Sequence, residues 1–254
     1  GQTPTTSGST VHIQTFSGAS TTSMGGTISS GDPHSCNLAY YPAAGEGIKV
    51  SGVVCSDLTI SGSVDSNNGL LSMSGDYSNP VSTGSVLEQT FDGSWVAAET
   101  TYFNIMEMAT RTLDVDDNAT QTFILKSFNL NIANGVNRFG FDTNGNAEGY
   151  AFPEYAITGD LTIKYDDEFD YGAANNVLQD FLDGKTLTLN MIVGNSAPDA
   201  DGEMEITAEI QYTGDPSLDL SEGGLYHNLP FECVSDGTFG LKTEVFHNAA
   251  LTTL

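Results

Sequence analysis

Apolar and polar residues alternate along most of this chain. In "SDLTISGSV", Leu58 and Ile60 fall on one side, and Asp57, Thr59, Ser61 and Ser63 on the other. "FILKSFNLNIANG" sets Phe128, Leu130 and Ile132 against Ser127, Asn129 and Asn131, and "GDLTIKY" sets Leu161, Ile163 and Tyr165 against Asp160, Thr162 and Lys164. "KTLTLNMIVG" and "GEMEITAEIQYTGD" keep the same period. A strand with one apolar and one polar face belongs to an antiparallel sheet wetted on one side. Six or more such strands in one chain predict a mostly-β protein, an antiparallel sandwich or barrel of two packed sheets. Between "SGSV" and "LLSMSGDY", the pair Asn68-Gly69 predicts a tight hairpin.

The stretch from Ile157 to Gly194 breaks the alternation and then resumes it. In "AANNVLQDFLDG", Ala174, Val177, Leu178, Phe181 and Leu182 recur at helical spacing, which predicts a helix over 173–183. Gly184 is placed to end it in a left-handed cap. A helix of about two and a half turns is not stable alone, so its stripe must dock on the sheets. Val177, Leu178, Phe181 and Leu182 are the expected packing residues.

Residues 81–120 fit neither period and read as a long insertion in a single domain spanning 1–254. Trp95, Phe103, Met106 and Met108 make it too apolar for a free loop, so it is expected to pack on its own core or on a neighbouring subunit. The polar opening "GQTPTTSGST" reads as a flexible arm, residues 1–10.

Charge narrows the partners. The chain has 254 residues, with 7 Lys+Arg against 33 Asp+Glu and a net charge of −26. That balance opposes adhesion to nucleic acid or to an anionic membrane. No apolar run approaches the ~18 residues of a membrane-spanning helix. Cys36, Cys55 and Cys233 lack metal spacing and read as small apolar residues, with a Cys36–Cys55 bridge as the alternative.

Candidate chemistry is thin. "DTNGNAEG" carries Asp142, Asn144, Asn146 and Glu148 at alternating positions, but Gly145 is misplaced for a calcium loop and Pro153 sits where the bidentate Glu belongs. An Asn-Gly turn is the simpler reading, and Asp199, Asp201 and Glu203 in "APDADGEME" read as a hairpin turn. None of His12, His34, His227 and His247 lies near a nucleophile elbow. With 33 acids, some carboxyl pair always fits glycosidase spacing. No cofactor, metal or catalytic residue is assigned, and an enzyme is not expected.

The order of segments carries more information. "FILKSFNLNIANG", "YAITGDLTIKY", "NNVLQDFLDGKTLTLNMIVG", "MEITAEIQYTGD" and "NLPFECVSDGTFGLKTEVFHNAAL" follow one another as in the tail tube (major tail) proteins of tailed phages with long non-contractile tails. The early segment "GIKVSGVVCSDLTISGSVDSNNGLLSMSGDYSNP" is similar to that family's opening. The resemblance covers roughly residues 46–80 and 121–254 and rests on order, because each motif alone is degenerate.

The resemblance implies two packed sheets flanked by one helix. It also implies self-association into homohexameric stacked rings, and a virion tail assembled in the host cytoplasm. The implied partners are the tape measure protein and genome DNA in the lumen, without specific binding, and the tail terminator and baseplate or distal tail proteins; no membrane is implied. A conduit for a polyanion is best lined by neutral or negative groups. Glu203, Glu205 and Glu209 share one face of their strand and are the candidate channel lining, unless they face solvent outside. Trp95, Phe103, Met106 and Met108 are then the candidate intersubunit contacts. The alternative is a secreted or cell-surface β-sandwich binding module, an adhesin or carbohydrate binder.

Overall fold

The computed structural model describes residues 5–7, 11–18, 36–43, 46–78, 87–88, 103–115, 119–133, 137–138, 143, 150–151, 156–165, 177–194, 203–220, 224–234 and 241–247. In chain order the strands begin with β1 (Thr5–Ser7), β2 (Val11–Gly18), β3 (Cys36–Ala43), β4 (Glu46–Ser63), β5 (Ser72–Ser78) and β6 (Leu87–Glu88). Then come β7 (Met108–Val115), β8 (Ala119–Thr122), β9 (Leu125–Ala133), β10 (Asn137–Arg138), β11 (Tyr150–Ala151) and β12 (Ala156–Lys164). The helix α1 (Val177–Asp183) follows, then β13 (Leu187–Gly194), β14 (Glu203–Tyr212), β15 (Ser217–Asp219), β16 (Tyr226–Cys233) and β17 (Leu241–His247).

The mostly-β, antiparallel reading holds, with one refinement. Among the described residues, the two expected layers are limbs of one hydrogen-bonded sheet of 15 strands whose path does not close into a barrel. The first limb runs β5–β4–β9–β12–β16, and the second runs β8–β7–β13–β14–β17–β2–β1. They meet at β14. One edge of that strand pairs with β13 from Glu203 to Ile210. Its other edge pairs with β17 over Glu203–Ala208 and then with β16 over Ile210–Tyr212. Val234 N–H donates to the Glu209 carbonyl at 2.9 Å where the partner changes.

Alternation built the core between the limbs. Ile60, Phe128, Leu130, Ile157, Leu161, Ile163, Leu229 and Phe231 are buried from the first limb. Leu113, Leu187, Leu189, Met191, Val193, Met204, Ile206, Ala208 and Ile210 meet them from the second. Gly159 on β12 allows a close approach: a Cβ there would come within 2.5 Å of both Asn129 O and Phe231 Cζ.

The β4–β5 hairpin exists but is not a tight two-residue turn. The connection runs over 64–71, with Asn67, Asn68 and Gly69 all at positive φ. Asn104 holds it from outside the hairpin: its Nδ2 donates to Asn68 O at 3.1 Å, and its Oδ1 accepts from Met106 N at 2.9 Å. Residues 81–120 are also more regular than expected, because β7 is a full member of the second limb, paired with β13.

Candidate assembly surfaces

On β14 the even positions Met204, Ile206, Ala208, Ile210 and Tyr212 are buried, and Glu205, Thr207, Glu209 and Gln211 between them are half-buried. Thr207 Oγ1 donates to Glu205 Oε1 at 3.4 Å, and Thr188 Oγ1 donates to Glu209 Oε1 at 3.2 Å. Both carboxylates are thus steadied by a threonine hydroxyl. Glu205 has Ile192 and Glu244 as its registered neighbours. The backbone of Glu203 pairs with Gly194 and Phe246, and its side chain lies outside the described residues.

The first limb carries a second polar face, which period-two reading could have offered as an equal candidate. Across β4, β9 and β12 it aligns Thr59, Asn131 and Thr158, then Ser61, Asn129 and Asp160. Thr59 Oγ1 donates to Asn131 Oδ1 at 3.1 Å, and Asn129 Nδ2 donates to Asp160 Oδ1 at 3.5 Å.

The proposed contact residues separate. Trp95 lies outside the described residues. Phe103 is half-buried against the core and Met106 is 57% exposed. Met108 corrects the expectation, because it is buried in the protomer's own core. The register between β7 and β13 slips there, pairing Val193 with Met108 and Ile192 with Thr110. The extra residue of this bulge turns Met108 inward.

The helix needs a similar correction. Val177 is fully buried, Leu178 is half-buried and Phe181 packs against the core, but Leu182 is 67% exposed. At about 100° per residue, Phe181 lies roughly 40° from Val177 and Leu182 roughly 140° away. The buried arc is completed by Asp180, which is 1% exposed. Residues 173–176 lie outside the described residues. Gly184 does end the helix as expected, with φ at +61°.

Several buried polar groups had no sequence signal of their own. Asp180 has Lys185 Nζ at 3.9 Å from Oδ1. Burial, and then the Asp180 carboxylate, push the Tyr212 phenol far above its usual range. His227 is fully buried, with its ring 4.8 Å from that of Tyr165, so it serves the core. Lys126 is the extra residue of a bulge where Ser127 pairs with Thr162 and Leu125 with Ile163. Its ammonium is 3.6 Å from Asp65 and 4.6 Å from the centre of the Tyr226 ring.

Cys233 is a free, half-buried thiol, and burial with the neighbouring Glu232 pushes it up to about 12. The side chains of Cys36 and Cys55 lie outside the described residues. Among the described residues no group of three or more His, Cys, Asp or Glu could hold a metal ion. The turns at 142–148 and 199–203 fall outside them, apart from Thr143 and the backbone of Glu203. Nor is any helix among them long and apolar enough to cross a membrane.

Among the described residues, an unclosed antiparallel sheet folded on one core, with two polar faces, defines a mostly-β protein built as a scaffold. The family model described as phage tail tube protein matches residues 1–233, and the chain belongs to that family. It is therefore a structural component of the virion tail that assembles with itself and with other tail components. No curated protein matches the chain.

Proposed function

We propose that the chain forms stacked hexameric rings, and that these make the tube of a long non-contractile tail through which genome DNA leaves the virion. Family membership over residues 1–233 carries this reading and sets it above the binding-module alternative. The open sheet supports it physically. Among the described strands β5 pairs with β4 alone, which leaves its outer edge for a strand added from another subunit. An edge-to-edge addition that repeats with a constant rotation closes into a ring.

In this reading the Glu203, Glu205 and Glu209 face lines the channel, where fixed carboxylates keep a polyanion from sticking. Trp95, Phe103 and Met106 contact neighbouring subunits. The lumen holds the tape measure protein before ejection. The tail terminator and the baseplate or distal tail proteins cap the two ends, assembly takes place in the host cytoplasm, and no catalytic step is involved. Negative-stain microscopy of the purified chain, with its mass measured by light scattering, tests this. Sixfold rings and hollow rods are expected. A monodisperse monomer at all concentrations would overturn the reading.

A further inference from the structure

The β4–β5 connection holds an asparagine followed by a glycine in a shape that opposes their characteristic reaction. Asn67 and Asn68 are exposed, and Gly69 is buried. An Asn-Gly pair closes on itself more readily than other Asn pairs, because glycine has no side chain to hinder its own amide nitrogen. Closure joins Gly69 N to the side-chain carbonyl carbon of Asn68, Cγ, in a five-membered imide. For that, Gly69 N must lie on the Cβ side of the Asn68 Cα–C bond. Asn68 has φ 52° and ψ 34°, which turns the nitrogen to the opposite side.

Two hydrogen bonds hold it there. Gly69 N donates to Ser66 O at 3.0 Å, and Asn104 Nδ2 donates to Asn68 O at 3.1 Å. Turning the Asn68–Gly69 peptide into the reactive position breaks both. Asn104 comes from outside the hairpin, and its own side chain is fixed: Oδ1 accepts from Met106 N at 2.9 Å as the cap of the short helical turn Ile105–Glu107. It also lies over the glycine, where a Cβ on Gly69 would come within 2.5 Å of Asn104 Oδ1. The segment is tied to the hairpin on its other side by Leu71 N donating to Phe103 O at 2.9 Å.

We propose that Asn68 is a self-modification site, a deamidating asparagine, and that Asn104 is the positioning residue that sets its rate. When Asn68 O leaves Asn104 Nδ2, the peptide can turn. Gly69 N then gives its proton to solvent base and attacks Asn68 Cγ. The Cγ–Nδ2 bond of Asn68 breaks, and the nitrogen leaves as ammonia after taking a proton from solvent. Water opens the imide at either carbonyl, which yields aspartate or isoaspartate. No oxidant, cofactor or second protein is needed. Either product adds a negative charge to a connection that already carries Asp65. Isoaspartate also inserts a methylene into the backbone of a turn with three consecutive residues at positive φ, and so displaces the bond from Leu70 N to Asn67 O. Asn67 is the slower neighbour, because the nitrogen that follows it belongs to Asn68 and carries a side chain beside it.

Peptide mapping of the full chain, incubated at neutral and mildly alkaline pH, reads the conversion as a gain of one dalton at Asn68. Asn134-Gly135 and Asn144-Gly145 in the same chain serve as references for the same chemistry. In the wild type Asn68 should convert more slowly when folded than in urea. Asn104→Asp and Asn104→Ser both keep a side-chain oxygen of the kind that caps a helical turn, but neither carries the amide that donates to Asn68 O. Each should speed conversion at Asn68 about fivefold, the size of one lost hydrogen bond, with both reference pairs at wild-type rates. Equal Asn68 rates in the folded and urea-unfolded wild type overturn the proposal. So do an unchanged Asn68 rate in both variants and an equal acceleration of all three pairs, which would assign the protection to the fold as a whole.

Discussion

Lys185 reaches Asp180 twice. Its backbone N–H donates to the Asp180 carbonyl at 3.0 Å, and its ammonium lies 3.9 Å from the Asp180 carboxylate. Gly184 N donates to Phe181 O at 3.1 Å, which completes a two-bond helix stop around a glycine at positive φ. Such stops usually carry an apolar contact between these two flanking positions. Here an ion pair stands in its place, with the Lys185 side chain 17% exposed and that of Asp180 1%.

That substitution of charge for oil predicts an asymmetry. Lys185→Met should destabilise the fold by about 3–5 kcal/mol, because it removes the cation paired with a buried carboxylate. Asp180→Leu in the Lys185→Met background should recover most of the loss, since paired apolar residues replace buried ion pairs well. Urea denaturation of the two single variants and the double variant measures the coupling. Equal losses in single and double variants would show that Lys185 does not answer the Asp180 charge.

Gly159→Ala should cost about 1–3 kcal/mol through overpacking. A methyl there meets Asn129 O and Phe231 Cζ, each at 2.5 Å. Phe231→Leu in the same chain should give back only part of it, because the backbone oxygen on β9 cannot yield as a side chain can. Thermal melts of the three variants decide this.

The helix separates its own residues. Phe181→Ala should lose about 2 kcal/mol, below the usual range for a fully buried aromatic because the ring is half-buried. Leu182→Ser should stay within about 0.5 kcal/mol, as for other exposed positions. A melting temperature that falls equally for both would mean the helix buries a different face.

Cys233 gives a pH dependence. Its thiol is raised from 9.0 to about 12 by burial first and by Glu232 second. The folded state therefore favours the protonated thiol. Its contribution is fully present below pH 9.0 and is lost as pH rises from there to about 12. Alkylation mapped to the Cys233 peptide at pH 9 should be slow in the folded chain and fast in denaturant. Equal rates would show that the thiol is open to solvent.

Strands were legible wherever one face is wet, because alternation records burial directly: Leu161 and Ile163 are both fully buried as the pattern required. The helix was legible from its period and from Gly184. Its buried arc was not, because Asp180 turns inward, with Lys185 beside it, and Leu182 turns outward. β7 was missed because the extra residue at its start places Met108 and Thr110 against consecutive residues of β13, so alternation fails there. Polar faces could be read but not ranked. Glu205 on one limb and Asp160 on the other give the same period-two signal, and only neighbouring copies distinguish inside from outside.

The channel assignment can be tested by charge. Replacing Glu203, Glu205 and Glu209 together by Lys reverses the sign of that face of β14 and keeps the strand pattern. The hydrogen bonds from Thr207 to Glu205 and from Thr188 to Glu209 are lost. Both lie on the half-buried face, so their loss costs about 1 kcal/mol each. The backbone ladders to β13 and β17 are unaffected by side-chain charge. If this face lines the lumen, DNA leaving the particle meets phosphate-binding groups at every ring. Their grip weakens steeply with salt, because each phosphate contact releases counterions. The expected outcome is intact tails with slowed or aborted genome ejection at low ionic strength and recovery at high ionic strength. Ejection kinetics of assembled mutant virions at two salt concentrations measure it. Wild-type rates at both would place these glutamates on the outside of the tube and move the channel wall to the Thr59–Asn131–Asp160 face of the first limb.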